Sequence, residues 1–146
     1  MTSELINKSS AFNILVVDDE PANIDILLGV LSPHYKVKVA PSGALALKIA
    51  QQYVPDLILL DIMMPGLSGF DVIKALKSNP ALNNIPVIFV TALGQGEDEE
   101  KGFELGAVDY ITKPISPPLV LARVKTHITL AHQMKMTELE VKKRTA

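Results

Sequence analysis

The hydrophobic positions of this chain change their period along its length. Short apolar runs alternate five times with longer segments in which apolar residues recur every three to four positions. The runs are typical of strands, and the longer segments have the spacing of amphipathic helices. The predicted strands are Phe12–Val17, Tyr35–Val39 (an edge strand), Asp56–Leu60, Ile85–Val90 and Ala107–Ile111. Strand–helix alternation with short connections predicts a parallel sheet with right-handed crossovers.

Residues that favour helix ends support the same order. Pro21 suits the first turn of a helix, Ser42 can cap a second helix, and Gly106 can close a short acidic one. The other helices are predicted over Phe70, Ile73 and Leu76, and from Ser116-Pro117 past Leu130. Five such units in about 125 residues fit a flavodoxin-like, doubly wound five-stranded parallel sheet, of order 2-1-3-4-5 with helices on both faces.

Composition narrows the class of protein. The 146 residues are enough for one domain, predicted over residues 12–132. The polar segment 1–11 is predicted to be a flexible leader, not a signal peptide. The chain has no cysteine, which excludes disulfides and thiolate metal sites and fits a cytoplasmic location. A net charge of -2 gives no electrostatic argument for direct nucleic-acid binding, and no apolar run suits a membrane span.

Chemically useful residues fall where predicted strands end. They are Asp18-Asp19, Asp61, Thr91 and Lys113. Because the carboxyl ends of parallel strands face one crevice, we expect three carboxylates, a hydroxyl and an ammonium to meet there. Adjacent carboxylates repel each other, and a divalent cation removes that repulsion; hard oxygen ligands favour Mg2+. Asp61 could then act as a nucleophile toward phosphorus.

Each of these residues also has a purely structural interpretation. Asp18-Asp19 could cap the helix at Pro21, Asp61 could form a turn before Pro65-Gly66, and a lone lysine is usually a surface residue. The histidines are scattered, so we predict that they are solvated or partly packed instead of metal ligands. All five candidate residues nevertheless fall at the ends of predicted strands, and this coincidence favours the functional interpretation.

The motifs resemble the receiver domain of two-component response regulators. They occur in order as Ile14-Leu15-Val16-Val17-Asp18-Asp19, Asp61-Ile62-Met63-Met64-Pro65-Gly66-Leu67-Ser68-Gly69, Val90-Thr91-Ala92 and Asp109-Tyr110-Ile111-Thr112-Lys113-Pro114. The resemblance covers roughly Asn13 to Leu130 and departs at none of the key positions. It implies a phosphoprotein of phosphorelay signal transduction, and not an enzyme with a substrate of its own.

The resemblance also implies a role for each site residue. Asp61 is similar to the phospho-acceptor, and Thr91 and Lys113 to the residues that assist it. Asp18, Asp19, Asp61 and the backbone carbonyl of Met63 would hold Mg2+. Thr91 and Tyr110 are similar to a switch pair, which would change the surface formed by the fourth helix, the fifth strand and the fifth helix.

Partners follow from the same resemblance. The phosphoryl donor would be a sensor histidine kinase or a phosphotransfer protein. Residues 113–127 are similar to receivers joined to HD-GYP cyclic di-GMP phosphodiesterase domains, and also to some joined to GGDEF cyclases or sensor-kinase modules. The apolar residues after position 132 keep no single helical stripe, so residues 133–146 are predicted to be an exposed helical linker to an output domain on the C-terminal side. The surface that includes the fifth helix is compatible with a homodimer.

Two other classes of protein place a phosphate-related site on a similar doubly wound sheet. A phosphohydrolase of the haloacid-dehalogenase type also combines aspartate with Mg2+, but it needs an Asp-x-Asp motif at the end of the first strand. A flavodoxin-like FMN carrier needs a phosphate loop rich in serine, threonine and glycine there. The first strand ends instead in Asp18-Asp19-Glu20-Pro21, whose negative charge disfavours a bound phosphate.

Overall fold

Five parallel strands form one sheet in the order β2-β1-β3-β4-β5. The computed structural model describes the backbone of residues 12–92 and 96–145, and the side chains of residues 12–92 and 99–134. The elements are β1 Asn13–Val17, α1 Pro21–Leu31, β2 Lys36–Ala40, α2 Gly43–Tyr53, β3 Leu57–Leu60, α3 Gly69–Lys77, β4 Val87–Thr91, α4 Gly96–Glu104, β5 Asp109–Thr112 and α5 Pro117–Thr145. The predicted alternation, strand order and fold class are confirmed.

The three inner strands are buried on both faces. Every residue of β3 and β4 is inaccessible to solvent, whereas β2 at one edge alternates between exposed and half-buried positions. Burial on both faces explains why β3 and β4 are continuous apolar runs in the sequence. The edge position predicted for the second strand is correct, and β5 forms the other edge.

Alternation along the strands divides the core into two clusters, one on each side of the sheet. Leu15, Ile58 and Phe89 belong to the side covered by α2 and α3. Val16, Leu59 and Val90 belong to the opposite side, where α1 and α5 pack. Successive strand residues point to opposite faces, so both sides of a short strand must be apolar in a three-layer protein.

The helices begin where their sequences favour it. Pro21 occupies the first turn of α1, and the Ser42 hydroxyl accepts a hydrogen bond from the Leu45 N–H at 3.2 Å. At the start of α3, Ser68 and Asp71 form a capping box, in which each side chain accepts a hydrogen bond from the other residue's backbone N–H. Gly106 ends the segment after α4 with φ +107°, a conformation that favours glycine.

Differences from the predicted boundaries are small. β4 begins two residues later than predicted and β5 extends from Asp109 to Thr112, because ladder pairing and not hydrophobicity sets a strand's ends. Val120, Val124 and Ile128 of α5 are buried against the sheet, as their spacing predicts. The backbone is helical through Thr145, while the domain boundary at residue 132 stays a prediction. The leader predicted over residues 1–11 lies outside the described part of the chain.

Candidate functional site: an acidic crevice at the carboxyl ends of the strands

Backbone hydrogen bonds continue the sheet just past its strand ends and fix the site residues. The Asp18 N–H donates to the Ala40 carbonyl at 3.2 Å, and the Asp61 N–H donates to the Val17 carbonyl at 2.9 Å. On the other side, the Lys113 N–H donates to the Thr91 carbonyl at 2.9 Å. The ladder therefore brings the predicted site residues to one end of the sheet, as the sequence indicates.

Lys113 bridges two of the carboxylates. Its Nζ lies 2.9 Å from Oδ2 of Asp18 and 3.2 Å from Oδ2 of Asp61. The side chains of both aspartates are almost fully buried, and that of Lys113 is 13% exposed. Burial lowers the pKa of the Lys113 ammonium, but the hydrogen bond to Asp18 and the charge of Asp61 outweigh burial, so its pKa is raised. Lys113 is therefore a firmly charged cation inside the crevice.

Asp61 is the centre of the crevice. Burial raises its pKa, and the charge of Lys113 lowers it; the charge of Asp18 raises it again, and the net shift is upward. Hydrogen bonds from Lys113 and from the Thr91 hydroxyl favour the ionised form. The Met63 N–H also donates to its Oδ1 at 3.3 Å. Asp61 is consequently a buried carboxylate whose charge is only partly compensated, which is a typical condition of reactive groups.

Three carboxylates are close enough to share a cation. Oxygen atoms of Asp18, Asp19 and Asp61 all lie within 4.8 Å of one another. Asp18 is also oriented by its neighbour, because its Oδ1 accepts the Glu20 N–H at 2.9 Å. A compact set of hard oxygen donors, with Asp19 accessible to solvent, fits Mg2+, which keeps several water ligands. The donor set thus agrees with the metal predicted from the sequence.

Tyr110 lies on the edge strand β5, three residues before Lys113. Its ring is half-buried and its centroid is 6.2 Å from that of Phe89, which in turn contacts Phe70 edge-on at 5.6 Å. Gly102 of α4 packs on the Phe89 ring, where an added Cβ would come within 3.0 Å of the ring carbons. The predicted switch residue is therefore part of an aromatic row on which α4 packs.

A second charged cluster was not anticipated from the sequence. Asp109 accepts hydrogen bonds at one oxygen, Oδ2, from Arg123 Nη1 at 3.1 Å and from His127 Nε2 at 2.9 Å. Arg123 and His127 are four residues apart, so a shared helix face could have been inferred. Nothing local indicates that this face meets the start of β5.

The protein is thus a doubly wound α/β domain with an acidic crevice at the carboxyl ends of its strands. Residues 14–125 match the family described as the response regulator receiver domain. The chain therefore belongs to the response regulator receiver family, whose members are signalling modules. This match gives no support to the phosphohydrolase or the flavin carrier considered above.

The chain matches part of several longer curated relatives. The chain is 52% identical over 119 residues to a probable cyclic di-GMP phosphodiesterase of Vibrio cholerae, covering 82% of this chain and 27% of that protein. It is 46% identical over 114 residues to response regulator PleD of Caulobacter vibrioides, covering 77% of this chain and 25% of that protein. The chain thus spans about a quarter of the length of these relatives.

Solved structures have the same fold. A putative response regulator from Chloroflexus aurantiacus is 33% identical with a TM-score of 0.77, covering 81% of this chain and 98% of that chain. The BeF3-activated receiver domain of DrrB is also 33% identical, with a TM-score of 0.74 and coverage of 81% and 97%. Among the helices that the structure describes, none is long and apolar enough to cross a membrane.

Proposed function

We propose that this chain accepts a phosphoryl group on Asp61 from a sensor histidine kinase or a phosphotransfer protein. One observation carries the proposal: Asp61 is a buried carboxylate that contacts Lys113 and the Thr91 hydroxyl, with a second acid, Asp18, on the same ammonium. The bond from the Met63 N–H gives Asp61 a role in the turn, but a turn does not require three buried charges, which are more costly to form than an apolar core, and this favours a functional role.

The chemistry is a single displacement at phosphorus. An Asp61 carboxylate oxygen forms the new P–O bond as the bond between phosphorus and the donor breaks, and the donor leaves with the bonding electron pair. Lys113, now 3.2 Å from Oδ2, would pair with an oxygen of the transferred group, and the Thr91 hydroxyl would donate to another. These residues position the group and compensate its charge.

The metal would be held by Asp18, Asp19, Asp61 and the carbonyl of Met63, with water completing its coordination. When bound, Mg2+ neutralises charge on the transferred oxygens. The assignment of Asp18, Asp19 and Asp61 rests on their oxygens lying within 4.8 Å of each other, and that of Met63 on its position in the loop after Asp61.

The response would pass through Thr91 and Tyr110. As the Thr91 hydroxyl moves toward the phosphoryl group, it vacates space that the Tyr110 ring can enter. The ring contacts Phe89, on which Gly102 of α4 packs, so this movement would change the surface formed by α4, β5 and α5. We propose this surface as the contact for an output domain and for a homodimer.

The output is proposed from the relatives. Since the chain is 52% identical over 119 residues to part of a probable cyclic di-GMP phosphodiesterase, we propose an output domain on the C-terminal side that acts in cyclic di-GMP turnover. The linker over residues 133–146 and the cytoplasmic location stay predictions.

Intact-mass spectrometry after incubation with acetyl phosphate tests the proposal. We expect a mass gain of one phosphoryl group that requires Mg2+ and is lost in Asp61→Asn. Asp25→Asn is the matched control, because Asp25 is an exposed carboxylate of α1 and the change in charge is identical. Asp25→Asn should react like the wild type.

Two results would contradict the proposal. One is a gain of equal mass in Asp61→Asn, which would place the acceptor elsewhere. The other is no gain in the wild type either with acetyl phosphate or with a phosphorylated histidine-containing donor, which would leave the crevice without a transfer function.

A further inference from the structure

Asp109 connects β5 with α5 through both of its carboxylate oxygens. Its Oδ1 accepts the N–H of the next residue, Tyr110, at 2.8 Å. Its Oδ2 accepts hydrogen bonds from Arg123 at 3.1 Å and from His127 at 2.9 Å. One carboxylate therefore holds the backbone of the proposed switch residue and two consecutive turns of α5.

Two of the three side chains in this cluster are largely shielded from solvent. The side chains of Asp109 and His127 are each 15% exposed, while that of Arg123 is 47% exposed. Burial raises the pKa of the Asp109 carboxyl, but the hydrogen bond from His127, the Tyr110 N–H and the charge of Arg123 outweigh burial and lower it. A mostly buried carboxylate with three donors has well-defined geometry, because each lost partner leaves a desolvated charge.

The cluster joins strand β5 to the C-terminal part of helix α5. α5 is packed on the sheet by Val120, Val124 and Ile128, and it continues as a helix to Thr145. His127 precedes the last of these buried residues, and the helix stays in contact with the domain as far as His132, whose ring meets that of Phe12 edge-on at 5.8 Å. A displacement of β5 at Tyr110 would consequently be transmitted to the last part of the helix that packs on the domain, from which α5 continues to Thr145.

We propose that Asp109, Arg123 and His127 form a latch that couples the strand of Tyr110 to the C-terminal part of α5. The latch makes the backbone of the helix beyond His127 respond to the state of the acidic crevice. The inference rests on the proposed function, because that function supplies the event to which the latch responds.

Amide hydrogen exchange measured by mass spectrometry tests the latch. The 146-residue chain is compared with and without beryllofluoride and Mg2+, which imitate the phosphoryl group. In the wild type we expect the exchange rates of peptides after His127 to change by about fivefold, the lower end of typical coupling between sites. In Asp109→Asn and His127→Gln the change should fall to less than half, although peptides around Thr91 still respond.

Controls separate coupling from stability. Lys125→Gln removes an exposed charge from the same helix, and it should respond like the wild type. If Asp109→Asn fails to fold, Arg123→Gln supplies the test, since the Arg123 side chain is half exposed. A static ion pair would lower stability in all latch variants without altering the response after His127, and that result overturns the latch.

Failure of the latch is distinguishable from failure of the proposed function. Phosphoryl mass gain at Asp61 with no exchange response after His127 in the wild type overturns the latch alone. Absence of both the mass gain and any beryllofluoride response around Thr91 overturns the proposed function, and the latch with it.

Discussion

Lys113 determines the electrostatics of the crevice at the scale of single residues. Its ammonium contacts Asp18 at 2.9 Å and Asp61 at 3.2 Å, so it occupies the region where a metal would neutralise the same carboxylates. A fixed cation lowers the affinity for a second cation, yet it also supplies a donor for phosphoryl oxygens. The same side chain therefore opposes metal binding and favours transfer.

Removing the lysine charge should therefore change the Mg2+ affinity and the rate of phosphorylation in opposite directions. In Lys113→Met, we expect Mg2+ to bind more tightly, by at least about threefold, because the negative potential is no longer compensated. Phosphorylation by acetyl phosphate should nevertheless slow by roughly a hundredfold, since one preorganised donor is lost. Calorimetric titration with Mg2+ and the rate of mass gain measure the two effects.

The exposed Lys125→Met provides the matched control for that experiment and should change neither quantity. Weaker Mg2+ binding in Lys113→Met would show that the lysine orders the carboxylates more than it competes for them.

Gly69 sets the position of Asp61 by a close approach of backbone to backbone. A Cβ at Gly69 would collide with the carbonyl oxygen of Asp61 and lie 2.8 Å from the Cα of Ile62. The Gly69 N–H also donates to the Ile62 carbonyl at 2.9 Å. The residue that begins α3 therefore closes the loop that follows Asp61.

From this contact we predict that Gly69→Ala slows phosphorylation by roughly tenfold or more, because shifting the reacting carboxylate by a fraction of an ångström misaligns it. Gly29→Ala is the control, since a Cβ at Gly29 meets nothing within 4 Å. Rates of mass gain at saturating Mg2+ are compared after confirming that both variants are folded. Equal rates in the two variants would refute the positioning role.

At the scale of elements, the contact between β5 and α5 is partly electrostatic. Asp109 stabilises the folded state by having a lowered pKa there, owing to the hydrogen bonds and charges that outweigh its burial. Such a contribution is present above the unfolded-state pKa and is lost as the pH falls through the folded-state pKa.

Asp109→Asn should therefore be less stable than the wild type at pH 7, with a Tm lower by about 4 °C or more. The difference should shrink as the pH falls from the unfolded-state value of 3.8 through the lower folded-state pKa, because the unfolded wild-type chain binds its proton first and the folded chain must then also be protonated. Thermal denaturation of both proteins, followed by circular dichroism between pH 3 and pH 7, measures the difference in Tm. A difference that does not vary with pH would mean that charge is not the cause.

At the scale of the whole molecule, the free energy of unfolding should rise with the Mg2+ concentration, because the cation would bind in the acidic crevice. Asp18, Asp19 and Asp61 bring negative charge to one place, and a cation that binds only the folded state stabilises it by mass action. At ten times its dissociation constant, Mg2+ should add about 1.4 kcal/mol to the free energy of unfolding.

Thermal unfolding with and without Mg2+ checks this linkage. In Asp19→Asn we expect most of the metal-dependent rise in Tm to disappear, while Asp25→Asn, on α1, should keep it. If Asp19→Asn is stabilised by Mg2+ as much as the wild type, the cation binds elsewhere on the molecule.

The fold class and the chemical groups of the candidate site can be predicted from the amino-acid sequence alone. Both are local properties: continuous apolar runs identify strands covered on both faces, and the residue after each run is necessarily at a strand end. Asp61 and Lys113 could be placed in one crevice for this reason, although 52 residues separate them. Strand ends were less well predicted, because pairing with a neighbour sets them.

Which groups touch depends on three-dimensional packing. The closer approach of Lys113 to Asp18 than to Asp61 depends on the spacing of three strands, and the contact of Gly69 with Asp61 depends on the path of a loop. The pairing of Asp109 with His127 depends on the rotation of α5 about its axis. Sequence periodicity fixes the buried face of a helix only broadly, whereas a hydrogen bond requires atoms to be placed within a few tenths of an ångström.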